Sequence, residues 1–300
     1  MKLNHNRYLF LLSGLILFLA SLSFIINSLK YKFPGNNYFP DHTAAIALII
    51  LLAYSGLVIF FGKENRASKS CIEILYFFII MAVIAFATNA VQLTPFHPVD
   101  KELVAFESYF NVNLIAVMEW TSRHPLLKNI LAIAYDTLPY QMSFLPLCVI
   151  VSGRFSLLRD YYFLLLTTTL IGFLVYYFFP TTAPASVLDS PLFSPEQIAT
   201  GLKFNQIHNH IIPTTNEGGL IALPSFHTIW ALLCVYLLKE WPIACAFLLI
   251  INCFLIAACV LLGWHYPIDV VAAFIIVGIS YYILLHIRQS EPRLGFNRNT

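Results

Sequence analysis

Residues 241–286 read WPIACAFLLIINCFLIAACVLLGWHYPIDVVAAFIIVGISYYILLH. Two apolar runs, 241–262 and 267–286, flank a short break, and Asp269 is the only Asp, Glu, Lys or Arg in the whole stretch. Each run has about the 20 residues that an α-helix needs to cross a bilayer's hydrocarbon core. Transmembrane strands would alternate apolar and polar residues at every second position. These runs do not, so the pattern is that of membrane helices.

The rest of the chain extends this reading. Hydrophobic residues make up 59% of the 300, aromatics 15%, and charged residues only 11%. Ordinary globular domains carry about 25% charged residues. A water-soluble domain could not hide so much apolar surface. Six further apolar runs lie near 8–27, 43–62, 72–91, 130–151, 160–179 and 223–238. The first follows Lys2 and Arg7 but is too long for a signal-peptide core and lacks an A-x-A site, so it reads as a retained span. The expectation is an all-α, polytopic transmembrane bundle of about eight spans. With 17 basic and 15 acidic residues there is no basic surface for nucleic acid. The six cysteines lie in or beside apolar runs with no CxxC pair, which reads as helix packing rather than metal or disulfide chemistry.

Positive charge orients the bundle. A cytoplasmic N-terminus puts Lys2, Arg7, Lys63, Arg66, Lys69, Arg154, Arg159, Lys239, Arg288, Arg293 and Arg298 inside. It leaves Lys30, Lys32, Lys101, Arg123, Lys128 and Lys203 outside. The excess favours both termini inside. Two long segments then face outward. In Gln92–Asn129, the centre from Leu103 to Trp120 is too polar to span and reads as an amphipathic interfacial helix. The other, Pro180–Ala222, carries His208, His210 and Gly218-Gly219.

The break at Gly263-Trp264-His265-Tyr266-Pro267-Ile268-Asp269 falls on that outer side. His265 and Asp269 are one helical turn apart and share a face. An Asp so placed can accept the imidazole Nδ1 proton and leave Nε2 free as nucleophile or base. Leu223-Pro224-Ser225-Phe226-His227-Thr228 opens the sixth run on the same side. Ser225 suits an N-cap, and the helix start offers free N–H groups to an anion. Two histidines, one supported by a carboxylate, beside an anion-binding helix start are parts suited to phosphoryl transfer.

These motifs resemble the second and third signatures of the type 2 phosphatidic acid phosphatase superfamily. Within it, His265-Tyr266-Pro267-Ile268-Asp269-Val270 is similar to the HY-x-x-DV run of the inositol phosphorylceramide synthase branch, which also looks like the sphingomyelin synthases. Phe178-Phe179-Pro180-Thr181-Thr182-Ala183-Pro184 resembles that branch's Phe-Pro-x-Ala-Pro segment, and the likeness extends over roughly Pro95 to His286. The resemblance implies a six-helix core and a lipid phosphotransferase, or else a lipid-phosphate or isoprenoid-phosphate phosphatase. His265 would be the nucleophile, Asp269 its support and His227 the general acid and base. No cofactor or metal is implied. Phospholipid, sphingolipid or isoprenoid phosphates would be the substrates. With the charge bias, the expected site faces the periplasm of a bacterial inner membrane, a eukaryotic Golgi-type membrane being the alternative. The oligomeric state is left open.

Two departures from the family pattern matter. The lysine and arginine of the first motif are not recognisable around 178–186, and Cys259 stands where an arginine precedes the nucleophilic histidine. Phosphate contacts would then come from helix N–H groups near Ser225 and from Lys203, His208 and His210. Phe226, Tyr266 and Asp136 join them as candidate substrate contacts. A dianionic monoester needs more positive charge than a monoanionic diester, which favours diesters. The expected organisation is N-terminal spans at 1–92 (three helices, the third entering the core), an external interfacial segment at 93–130, a catalytic transmembrane core at 131–286 and a cytoplasmic tail at 287–300.

Plainer readings stand beside these. His265 and Asp269 could be a structural pair, or could bind zinc with His227. Asp136 could touch a headgroup hydroxyl or pair with a tyrosine. His208 and His210 could be solvated loop residues, and Tyr266 and Trp264 part of an aromatic belt. A proton-relaying transporter is the alternative of another class.

Overall fold

A computed structural model describes residues 5–290 except Pro40. The expected tail at 287–300 therefore lies largely outside the described residues. The described fold is all-helical, with twelve α-helices and no strand. Six are long and apolar enough to cross a membrane: α1 (His5–Lys30), α2 (Thr43–Phe61), α3 (Arg66–Val91), α8 (Phe155–Phe178), α11 (Pro242–Leu261) and α12 (Pro267–Ser290).

The other two expected spans are shorter helices. The run at 130–151 is divided at Thr137, which ends α6 (Pro125–Asp136) and opens α7 (Leu138–Ser152). Pro139 sits in the first turn of α7, where a missing N–H costs nothing. The run at 223–238 yields α10 (Phe226–Leu237), because residues up to Ser225 are used as an approach and cap. The outer segments also differ from expectation. Residues 103–120 are not one helix but α4 (Asp100–Tyr109) and α5 (Leu114–Ser122), parted where Asn111 takes φ 58°. The loop at 180–222 contains α9 (Pro195–His208), begun by a capping box of Ser194 and Gln197.

α8 is the axis. It packs on α1, α3, α7, α10 and α12. Residues 160–169 are all buried, and a helix apolar all round belongs in a core. Thr167 and Thr168 turn their hydroxyls back onto carbonyls at Phe163 and Leu164, 2.8 and 2.7 Å away, so they bury no unmet donor there. Where α7, α10 and α11 meet, Gln141 donates to Asn252 (2.7 Å), which donates to the Ala231 carbonyl (2.8 Å). Such side chains tie membrane helices together. α2 packs on α3 and buries none of its residues.

One end of this bundle is ionic. Arg159 of α8 donates from Nε to both carboxylate oxygens of Glu73 on α3, at 3.1 Å each. The adjacent Asp160, 1% exposed, accepts from Tyr236 of α10 (3.1 Å) and pairs with Arg288 of α12. The sequence pointed to Asp136 as the carboxylate inside the membrane. Asp136 is exposed, at the α6–α7 break, and Glu73 and Asp160 are the buried carboxylates of the spans' ionic end. Breaking a buried ion pair leaves an uncompensated charge and costs on the order of 3 kcal/mol or more. Glu73→Ala is therefore expected to lower the thermal unfolding midpoint in detergent clearly, and Glu73→Gln less. An unchanged midpoint for Glu73→Ala would remove this pair from the account of stability.

Candidate active site

The opposite end of α10 and α12 carries the polar motifs. α11 closes at Gly263, whose φ of 81° suits glycine; a Cβ there would also stand 2.4 Å from the Met118 sulfur. The chain then turns, and the His265 amide donates to the Cys259 carbonyl at 2.8 Å. His265 Nδ1 lies 3.2 Å from Asp269 Oδ2, and the Tyr266 amide donates to the same oxygen at 3.0 Å. An ionised Asp269 would only accept, and in that state the ring proton is on Nδ1 and Nε2 is the basic nitrogen. The backbone carbonyl of Asp269 accepts from the Ser225 amide, 3.1 Å away. That bond fixes the start of α10 against the start of α12. Burial pushes the His265 imidazole down to about 4, against a hydrogen bond with the Ala222 backbone that raises it.

His227 follows in the first turn of α10. Its ring centroid is 5.8 Å from that of His265, at an interplanar angle of 61°. Both line one cavity of about 240 Å³, with Tyr135, Thr200, Gly218, Gly219 and Trp264 on its walls. No lysine or arginine is among its lining residues. The three residues read from sequence as catalytic thus converge, and they form no group spaced to hold a metal ion among the described residues.

Tyr135 is the neighbour that sequence reading passed over. Its ring stacks on His227 (4.3 Å, 16°) and on Trp264 (5.3 Å, 7°), making a three-ring column. Its hydroxyl is 3.4 Å from His227 Nδ1. In the sequence it stood out only as a neighbour of Asp136 and as part of the stretch from Asp100 to Pro146 that resembles the family's upstream region.

The remaining candidates scatter. Ser225 is fully buried; its hydroxyl accepts from the Thr228 amide (3.3 Å) and lies 3.8 Å from Cys259 Sγ. It caps α10 and faces away from the cavity. Phe226 packs edge-on against Phe173 and Trp230. Tyr266 is fully buried among Leu114, Met118 and Phe193. Lys203 is also fully buried, and its ammonium donates to the Gly218 carbonyl at 2.7 Å, behind the cavity wall. Burial pulls it down to about 8, while Glu217 opposes the shift. His208 Nε2 lies 3.2 Å from the Tyr176 hydroxyl. Burial, then His210 and His97, pull that imidazole down to about 4. His210 is exposed and stacks on Tyr31 at 4.7 Å. Asp136 opens into a separate polar pocket with Lys128, Glu196 and Gln197, on which Tyr135 and Trp264 also border.

The segment before α9 braces the rim. Thr182 donates from its amide (2.8 Å) and its hydroxyl (3.0 Å) to Asp100 of α4, and Thr181 accepts from the Leu223 amide (2.9 Å). Burial lifts Asp100 to about 6, although the two Thr182 bonds pull it down. Glu107, also on α4, accepts from the Ile268 amide in the first turn of α12 at 3.0 Å. The segment resembling Phe-Pro-x-Ala-Pro therefore acts on the site through backbone and hydroxyl bonds rather than charge.

The family model for the PAP2 superfamily matches residues 101–283, more than half of the chain. No curated protein and no solved structure matches it. The matched region contains His227, His265, Asp269, Tyr135 and Thr182; Asp100 and the helices α1, α2 and α3 precede it. This multi-pass membrane chain, with a lipid phosphatase or phosphotransferase kind of function, belongs to the PAP2 superfamily.

Proposed function

We propose that the chain moves a phosphoryl or phospho-headgroup from one lipid to another through His265. The observation that carries this reading is the His265–Asp269 pair facing His227 across one small cavity. His265 Nε2 attacks phosphorus, and the bond to the leaving oxygen breaks as His227 protonates that oxygen. The product alcohol departs, leaving a phosphohistidine. An incoming lipid alcohol loses its proton to His227 and attacks phosphorus, and the P–N bond breaks to return His265. Asp269 holds Nδ1 and balances the charge that the ring gains. Tyr135 keeps the His227 ring in place by stacking.

The charge inventory supports a diester donor. Cys259, fully buried against Ser225 and Thr228, supplies no guanidinium, and Lys203 spends its ammonium on Gly218. A monoanionic diester asks less of such a site than a dianionic monoester. This favours transfer, in the manner of the inositol phosphorylceramide synthase branch, over monoester hydrolysis. Phospholipid, sphingolipid and isoprenoid phosphates are the candidate donors. The cavity walls at Thr200, Gly218 and Gly219 are better placed for phosphate contact than Ser225, Phe226, Tyr266, His208 or His210. The Asp136 pocket suits a hydroxylated headgroup.

The lysine and arginine bias supports placing the site on the non-cytoplasmic face, which is the periplasmic one if the membrane is a bacterial inner membrane. In a background without native cysteines, an impermeant thiol probe on intact cells is expected to label Asn205→Cys and spare Glu240→Cys. The opposite pattern reverses the orientation.

Purified protein given labelled phosphodiester lipids is expected to yield headgroup-transfer products. His265→Ala should abolish turnover and any phosphohistidine. His227→Ala should lose roughly 10²–10⁴ in rate on a lipid leaving group. It should lose less with a nitrophenol leaving group, which needs no proton. Asp269→Asn should keep the fold and lose most of its turnover. If His265→Ala keeps the unchanged protein's rate on the nitrophenol diester while His227→Ala does not, the two roles are misassigned.

A further inference from the structure

A groove of about 420 Å³ runs between α2, α3 and α10, with Phe173 of α8 at its floor. Ile46 of α2 and Phe78, Ala82 and Ala85 of α3 line it. α10 packs on α7, α8, α11 and α12, whereas α2 leans on α3, so the two sides do not close on each other. His227, Gly218, Gly219 and Ile221 line both this groove and the cavity that holds His265. The apolar groove and the polar cavity therefore adjoin at the candidate general acid.

We propose that this groove seats one hydrocarbon chain of the substrate, acyl or isoprenoid, while its phosphate lies between His227 and His265. The inference rests on the phosphotransfer reading and adds where the tail lies. Bulk lipid would wet any apolar groove, but this one is bordered by the imidazole that serves the leaving oxygen. A tail placed here has its polar end at the reacting centre. α2 and α3 both lie outside the region shared with the PAP2 superfamily, so tail selection resides in the part of the chain added to that core. Binding energy gathered along the tail can be used to hold the phosphate in its reactive position.

The test uses the full chain in detergent micelles and three nitrophenyl phosphodiesters, bearing a long acyl chain, a long isoprenoid chain or a butyl group. Ala85→Trp and Ala82→Trp place an indole in the groove without touching the catalytic residues. Each is expected to lower kcat/KM for a long-chain donor on the order of tenfold and to leave the butyl donor unchanged. Which long-chain donor is lost names the chain class. In parallel, a non-hydrolysable phosphonate with a diazirine at its tail end is expected to cross-link Ile46, Phe78 or Ala82. Equal rates with and without the indoles, or cross-links confined to other helices, overturn the groove assignment and leave phosphotransfer standing. No turnover of any donor by the unchanged protein removes the phosphotransfer reading itself.

Discussion

Asp269 holds the two catalytic motifs in one frame. Its carboxylate accepts from the His265 ring and the Tyr266 amide, and its carbonyl accepts from the Ser225 amide. One residue thus fixes the tautomer of one histidine, the turn that carries it and the helix start that carries the other. The site buries this carboxylate completely. Both side-chain contacts fall on Oδ2, while Oδ1 is buried without a hydrogen-bond partner. The His227–His265 spacing follows from these bonds, because each imidazole lies within a few residues of one.

The interfacial segment is built into the same frame. α4 reaches the site twice, through Asp100 to Thr182 and through Glu107 to Ile268. A carboxylate at the first turn of α12 complements the positive end of that helix. Within the segment at 93–130, α4 is thus joined to the start of α12 and to the 181–182 stretch.

The helical class and the meeting of His265, Asp269 and His227 were legible because each depends on near neighbours in sequence. Apolar runs of span length announce themselves, and His265–Asp269 is a single helical turn. Other features depend on what packs beside them. Tyr135 gains its importance from His227, 92 residues away. Asp160 reads as a loop-edge charge until Tyr236 and Arg288 close over it. Ser225 looked like a phosphate contact because an N-cap hydroxyl and an anion ligand have the same local pattern. Only its burial against Cys259 separates the two. The 130–151 run hid its break because Thr137 ends one helix and begins the next without a change in hydropathy.

The twelve residues of α10 give it a length of only about 18 Å, measured from the Asp160–Arg288 layer to the cavity. A bilayer's hydrocarbon core is about 30 Å thick. If that ionic layer marks one boundary and the phosphotransfer reading holds, His227 lies below the opposite boundary and the reaction plane is sunk into the membrane. A lipid then need not climb out of its leaflet to react, whereas a free water molecule must descend through the headgroup level to compete. Recessing the histidines in this way gives alcohols already dissolved in the bilayer an advantage over water as acceptors.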